Sequence, residues 1–299
     1  MRLLMFRHRS SQGLGVLQGD QVVDVSALAS AVGIPFVGNL RALVELGDDG
    51  LRTLTALLER SAESASADVR LPVGEVELLP PLMPAGNVLA IGRNYAEHAG
   101  EMGRARAEAA GKPTVFTKAQ TTINAPNGSI CVDPDVSSQI DWEAELGVVI
   151  GRTGRDIPPD AALEHVFGYT VVNDVSARDI QYGWGGQFFK GKSLDGYCPI
   201  GPWVVTRDEI PDPQCLRVTL RVNGITKQDG NTRDMIFPVE RLVADLSKGM
   251  TLPAFSLIAT GTPPGVGYAR EPKEFLRPGD LMETEVEGIG VLRNPIVGP

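Results

Sequence analysis

The chain has 299 residues, of which 42% are hydrophobic and 22% charged, a length and balance that suit one large domain with an appendage, or two domains, and exclude a disordered chain. Its net charge of -9 lacks the basic footprint that a phosphate backbone needs, which excludes nucleic acid as a partner. The 34 glycines and 22 prolines point to many turns and a β-rich body, and three cysteines without a CxxC pair imply neither a disulfide framework nor a zinc site. Those cysteines fit a reducing compartment. Met1-Arg-Leu-Leu-Met-Phe-Arg7 is too short for a signal core, and no stretch has the length of a membrane span, so a cytoplasmic protein without membrane contact is expected.

Residues 1–78 read as a small α+β domain. Leu3 to Phe6, Gly15-Val-Leu17 and Gln21-Val-Val-Asp-Val25 form short strands, and Leu40, Leu43 and Val44, then Leu51, Leu54, Leu57 and Leu58, recur at helical spacing. No charged constellation falls here, and His8 reads as a surface residue. Ser61-Ala-Glu-Ser-Ala-Ser-Ala67 reads as a linker, and Leu79-Pro-Pro81 with Pro84 marks the start of a second domain, residues 79–299. Asn87 to Ile91 is a strand that runs into Gly92-Arg-Asn-Tyr-Ala-Glu-His98, and His98 and Glu101 are spaced i, i+3. One helical turn sets that pair on one side, either as a solvated pair or as a base held by its carboxylate. Gly103 to Lys112 is a polar arm, and Pro113 to Ala119 returns to a strand on which Lys118 is an expected anion contact.

Ile140-Asp-Trp-Glu-Ala-Glu-Leu146 alternates acids with apolar residues, so Asp141, Glu143 and Glu145 fall on one face of a strand, with same-face neighbours roughly 7 Å apart. A solvated strand face also shows such a pattern. The unbroken apolar run Gly147-Val-Val-Ile150 instead suits a strand buried on both faces, whose acids point into a cleft. A second strand, Phe167 to Val172, ends at Asn173-Asp174 and presents another carboxylate at its tip. Oxygen-only ligation without nearby Cys or His points to Mg²⁺, with Mn²⁺ or Ca²⁺ as substitutes, rather than Zn²⁺. A helical turn after Asp174 sets Arg178 and Gln181 beside it. Tyr182-Gly-Trp-Gly-Gly-Gln-Phe-Phe189 either packs on the core or shapes a pocket. Gly186-Gln-Phe-Phe-Lys-Gly-Lys-Ser193 satisfies the phosphate-loop pattern, but no strand precedes it and Gly196, Pro199 and Pro202 stop any long helix after it, so that reading is rejected. Asn223-Gly224 predicts a tight hairpin, Leu242 to Leu246 a short helix begun near Pro238, and Leu281 to Val286 with Leu292 to Ile296 the closing strands.

Asp141-Trp-Glu-Ala-Glu-Leu146, Asn173-Asp-Val-Ser-Ala-Arg-Asp-Ile-Gln181, Lys190-Gly-Lys-Ser193, Thr260-Gly-Thr-Pro-Pro-Gly-Val-Gly267 and the earlier Gly92 to His98 run resemble, in order, the motifs of the fumarylacetoacetate hydrolase superfamily over roughly residues 85–296. The resemblance implies a predominantly β α+β fold, with a mixed β-roll or barrel catalytic domain behind the small N-terminal domain, and a homodimer packed through the catalytic part. It implies a metal on Glu143, Glu145 and Asp174, with Asp141 behind them. It also implies a water-activating dyad of His98 and Glu101 on a lid, Lys192 as the active-site lysine, and Arg93, Tyr95, Lys118, Arg178, Gln181 and Thr262 against a small anionic substrate. The implied reaction is cleavage of a carbon-carbon bond in a β-diketo acid such as an acylpyruvate, fumarylpyruvate or 2,4-diketo-3-deoxy acid, with release of pyruvate or a related 2-oxo acid. Oxaloacetate decarboxylation, tautomerisation and isomerisation of hydroxymuconate-type diacids belong to the same platform, and a small-diacid binding protein is the non-enzymatic alternative.

Overall fold

The structure is a computed structural model in which the backbone of residues 1–61, 69–101 and 111–299 is described; the side chains of Ser61, His98, Ala99 and Glu101 are outside that description. The linker expected at Ser61 to Ala67 and the polar arm after Gly103 fall largely outside the described residues as well. The fold is α+β and mostly strand. β1 (Arg2–His8), β2 (Ser11–Gln18) and β3 (Gln21–Asp24) form an antiparallel meander. α1 (Val25–Ala31) starts where the Asp24 carboxylate accepts the Ser26 and Ala27 amides, and α2 (Leu40–Glu45) where Asn39 accepts that of Ala42. α3 (Gly47–Ser61) follows. The periodic leucines behave as their spacing requires: Leu40, Leu43, Val44, Leu54 and Leu57 are buried. β4 (Arg70–Pro72) and β5 (Glu77–Leu79) complete this part.

Next come β6 (Val88–Gly92), α4 (Ala96–Glu101), β7 (Thr114–Lys118), β8 (Ile123–Asn124), β9 (Ile130–Cys131), β10 (Ile140–Asp141) and β11 (Ala144–Ile150). β12 (Val166–Asn173), β13 (Ser176–Ala177), α5 (Arg178–Gly183), β14 (Cys198–Thr206), β15 (Arg217–Val222), β16 (Ile225–Asn231), α6 (Val239–Ser247), β17 (Leu257–Ala259), β18 (Leu281–Val286) and β19 (Gly290–Val297) complete the chain. Asn223 and Gly224 both take positive φ, 53° and 76°, so the β15 to β16 connection is the tight two-residue turn their identities predict.

The main sheet runs β4-β3-β2-β1-β14-β12-β11-β17-β6-β7, with β5 on β1 and β8 on β14; a second runs β16-β15-β18-β19-β9. Every residue of β11 and β12 is buried. Alternate side chains of β11 explain why. Leu146, Val148 and Ile150 join Val218, Leu220, Met282 and Leu292 of the second sheet and Leu242 of α6, while Val149 faces the cluster built on the N-terminal helices. Among the described residues no helix is long and apolar enough to cross a membrane.

The main sheet crosses the boundary placed at residue 79. Arg2 and Leu3 of β1 pair with Val205 and Val204 of β14, and Leu4 and Phe6 share a cluster with Trp203. A fragment of residues 79–299 would expose the β14 edge and the apolar face that α1, α2 and α3 cover. It is expected to lose the cooperative thermal transition of the full chain in scanning calorimetry; a sharp transition at the full-length Tm would make residues 1–78 a separate domain.

Candidate active site

The site is built where β11 begins and β12 ends. The alternation from Ile140 to Leu146 is interrupted: β10 stops at Asp141 and pairs with β13, and β11 resumes at Ala144 against β12. Glu143 sits in the gap. Its amide donates to the Asn173 side-chain oxygen at 3.1 Å, and its carbonyl accepts the Asp174 amide at 2.9 Å. Those two bonds fasten the tip of β12 to Glu143. Carboxylate oxygens of Glu143, Glu145 and Asp174 then lie within 4.8 Å of one another, all three residues buried.

The expectation that Asp141 shares this face is corrected by the interruption. Asp141 instead accepts the amides of Gly267 and Tyr268 at 2.7 and 3.0 Å, and Arg178 Nε at 2.8 Å. Arg178 reaches Glu143 Oε1 through Nη2 at 2.8 Å and donates from Nη1 to Gln181 Oε1 at 3.0 Å. Lys192 Nζ donates to Glu143 Oε2 and Asp174 Oδ2, both at 2.6 Å. It arrives on the single turn Lys190–Lys192, which packs on α5 because Gly191 carries no Cβ; one there would lie 2.4 Å from the Gln181 amide nitrogen. No long helix follows that turn, so the phosphate-loop pattern has no phosphate cradle behind it.

Four buried acids (Asp141, Glu143, Glu145, Asp174) therefore face three buried bases (Lys118, Arg178, Lys192), which leaves one negative charge. Burial, then the neighbouring Asp174 and Glu143, pushes the Glu145 carboxyl well above the usual carboxylate range, although the Gly261 amide donates to it at 2.8 Å. For Lys192, burial opposes the charge, but Asp174 and Glu143 outweigh it and hold the ammonium protonated. Such a set fits a hard divalent cation: oxygen donors only, mutually close, and too acidic to be stable together without positive charge among them. With all four acids ionised, a bound divalent ion would change the local charge from one negative to one positive, which suits an anionic ligand.

A cavity of about 230 Å³ opens onto this floor. Its polar side carries Arg93, Glu143, Arg178, Gln181, Lys192 and Thr262. Its other side is aromatic. Phe116 meets Phe188 edge-on at 5.6 Å, Phe188 meets Tyr182 at 6.2 Å, and Tyr182 lies 5.4 Å from Tyr268. The 182–189 segment thus divides, with Tyr182 and Phe188 on the cavity and Trp184 and Phe189 exposed.

Two expected substrate contacts lie elsewhere. Lys118 has no exposure and is consumed behind the site, donating to Asp174 Oδ1 at 2.7 Å and to the Val175 carbonyl at 3.2 Å. The strand reading of Pro113 to Ala119 gave no sign of the buried carboxylate behind Lys118. Tyr95 is 1% exposed and off the cavity wall; burial and Glu145 raise its hydroxyl pKa, and that hydroxyl has no partner among the described residues. His98 and Glu101 stand on α4 at the expected spacing, and their side chains lie outside the described residues. Sequence reasoning missed Tyr268, which directly follows the Thr260 to Gly267 motif, Phe116, two residues before Lys118, and Gln228, whose neighbours in the chain give no sign of the site.

A family model described as "Fumarylacetoacetate (FAA) hydrolase C-terminal" matches residues 87–297. A fumarylacetoacetate hydrolase from Exiguobacterium antarcticum is 39% identical, with a TM-score of 0.84 and 100% of each chain covered. A 5-carboxymethyl-2-hydroxymuconate delta-isomerase from Mycobacterium smegmatis is 32% identical, with a TM-score of 0.75 over 100% of this chain and 99% of that one. A maleylpyruvate hydrolase from Sphingobium sp. SYK-6, solved with manganese(II) and pyruvate, is 27% identical, with a TM-score of 0.78 over 100% and 99%. Fold and site thus define a relative of enzymes, hydrolases and isomerases, that act on small organic acids. The chain belongs to the fumarylacetoacetate hydrolase family.

With its pKa raised, the Glu145 carboxyl contributes stability that is present at low pH and lost as pH rises through the folded-state value, and a cation held by the triad would take the place of that proton. The Tm difference between protein in Mg²⁺ and protein in EDTA is therefore expected to widen from about pH 5 to about pH 8. Scanning fluorimetry reads it, and equal Tm values throughout would remove the cation from the site.

Proposed function

We propose that the protein is a Mg²⁺-dependent hydrolase that cleaves a carbon-carbon bond of an acylpyruvate-type β-diketo acid and releases pyruvate or a related 2-oxo acid. The observation that carries this reading is the cavity's two-sided lining, with Glu143 of the buried carboxylate triad, Lys192, Arg178 and Gln181 on one side and an aromatic arc on the other. Held by Glu143, Glu145 and Asp174, the cation would supply Lewis acidity toward the carboxylate and adjacent oxo oxygens of the substrate.

The chain's own residues do the rest. Arg178, fixed by Asp141, and Gln181, fixed by Arg178, offer donors to the pyruvyl end. The acyl end lies along Phe116, Phe188, Tyr182 and Tyr268, which suits a flat unsaturated or apolar group. His98, oriented by Glu101, takes a proton from water as the water oxygen bonds to the distal carbonyl carbon. The bond between that carbon and the methylene breaks, its electron pair passing to the 2-oxo oxygen as an enolate, and the acyl fragment leaves as a carboxylic acid. Lys192, kept charged by Asp174 and Glu143, opposes the enolate charge until the methylene carbon is protonated. A homodimer, as the resemblance implies, belongs to the same proposal. The likeness to an isomerase supports a second reading, in which a proton moves on a hydroxymuconate-type diacid without water attack.

Pyruvate release from acetylpyruvate and from oxaloacetate, coupled to lactate dehydrogenase, separates these readings. Cleavage of acetylpyruvate is expected with Mg²⁺ and not with EDTA, and is expected to vanish in His98→Ala. Lys192→Met is expected to lower kcat by about 10²- to 10³-fold. Pyruvate from oxaloacetate alone, insensitive to His98→Ala, would make the protein a decarboxylase. Within the hydrolytic reading, Tyr268→Ala is expected to raise KM for an acylpyruvate with a bulky unsaturated acyl group more than for acetylpyruvate; equal effects would move the acyl group away from the arc.

A further inference from the structure

β11 loses a strand partner where its acids begin. β17 pairs with it only over Gly147 to Val149, and the last contacts on that side run from the Thr260 amide and hydroxyl to the Leu146 carbonyl, at 3.1 and 2.8 Å. Gly261, at φ 98°, then turns the chain away. The Glu143 amide and carbonyl face β12, so those of Ala144 face the side that β17 has left. A buried amide and carbonyl without partners would each be costly.

Two side chains replace the missing strand. Gln228 Oε1 accepts the Ala144 amide at 2.9 Å, and Thr262 Oγ1 donates to the Ala144 carbonyl at 2.9 Å. Gln228 Nε2 donates to Thr262 Oγ1 and to the Pro263 carbonyl, both at 2.8 Å, closing a ring. The amide can point only one way, because a backbone N–H meets its oxygen and a carbonyl meets its nitrogen. Gln228 is 1% exposed and is the one buried residue of β16, an edge strand of the second sheet.

Ala144 stands between Glu143 and Glu145. Whatever fixes its peptide groups fixes the separation and aim of both carboxylates. We propose that Gln228 is a positioning residue for the cation site: it stands in for the absent strand, sets the spacing of Glu143 and Glu145, and ties that spacing to Thr262 on the cavity wall. The inference rests on reading Glu143, Glu145 and Asp174 as cation ligands.

Calorimetric titration of the EDTA-stripped full-length protein with Mn²⁺ tests it without any substrate. Gln228→Met keeps the bulk and loses both bonds, and Thr262→Val is the milder change if Gln228→Met folds poorly. Gln228→Met is expected to weaken Mn²⁺ binding by about 10- to 100-fold. Thr262→Val should weaken it less, and the double variant should fall short of the product of the two, since both break one ring. Asn294→Leu is the control, because Asn294 is an equally buried amide that clamps the Ala125, Pro126 and Gly128 carbonyls away from the triad. It should lower Tm and leave Mn²⁺ affinity within about twofold. Mn²⁺ affinity unchanged in Gln228→Met, lowered equally in Asn294→Leu, or lowered multiplicatively in the double variant would overturn the inference alone. No Mn²⁺ uptake by the unsubstituted protein would overturn the cation reading and the inference together.

Discussion

Four carboxylates and three cationic side chains occupy one buried volume, and the surrounding structure is arranged to make that tolerable. Removing one partner from a buried ion pair costs about 3–5 kcal/mol, because the other charge is left without compensation. Most of these residues have more than one partner. Asp141 joins Arg178 to the backbone at Gly267 and Tyr268, Lys192 bridges Glu143 and Asp174, and Lys118 holds Asp174 from behind. The groups arrive from four separate stretches of the chain, at Lys118, Asp141 to Glu145, Asp174 to Arg178 and Lys192, so the site cannot form before the strands have paired.

The interruption between β10 and β11 is the device that makes this geometry possible. An unbroken strand would place successive same-face carboxylates roughly 7 Å apart, too far for one ion to touch all of them. Breaking the strand after Asp141 frees Glu143 to lean toward Asp174, and leaves Asp141 to anchor Arg178. The cost of the break falls on backbone groups that lose a ladder. Asn173 and Gln228 supply side-chain partners to two of them, the amides of Glu143 and Ala144.

What could be read in the sequence follows from this division. The helices over Leu40–Glu45 and Val239–Ser247, the Asn223-Gly224 hairpin and the acids of the triad all carry local signals, namely period, cap or turn chemistry. Long-range partners carry none. Arg2 pairs with Val205 across some two hundred residues, so the main sheet could not be seen to cross the boundary drawn at 79. Gln228 sits in a strand whose other residues are at least partly exposed, and its partners lie on Ala144 and Pro263. Trp142 and Glu143 contain no glycine or proline to announce a break, so Asp141 reads in phase with the ligands and ends elsewhere.

The cavity separates two tasks that respond to different physics. On its polar side the metal-free floor is net negative once Glu145 is ionised, and a like charge at 4 Å is then repelled by about 4 kcal/mol at an effective dielectric of 20. On the proposed reading an anionic substrate is therefore held only after a divalent ion has reversed that sign, and the chemistry common to 2-oxo acids is read there. The aromatic side makes no such demand. Phe116, Phe188, Tyr182 and Tyr268 act through contact area and ring geometry, which are insensitive to the ion and tolerant of substitution. On that reading, chains with the same acidic floor can differ in substrate by exchanging residues of that arc, because the arc shapes the cavity by contact rather than by charge.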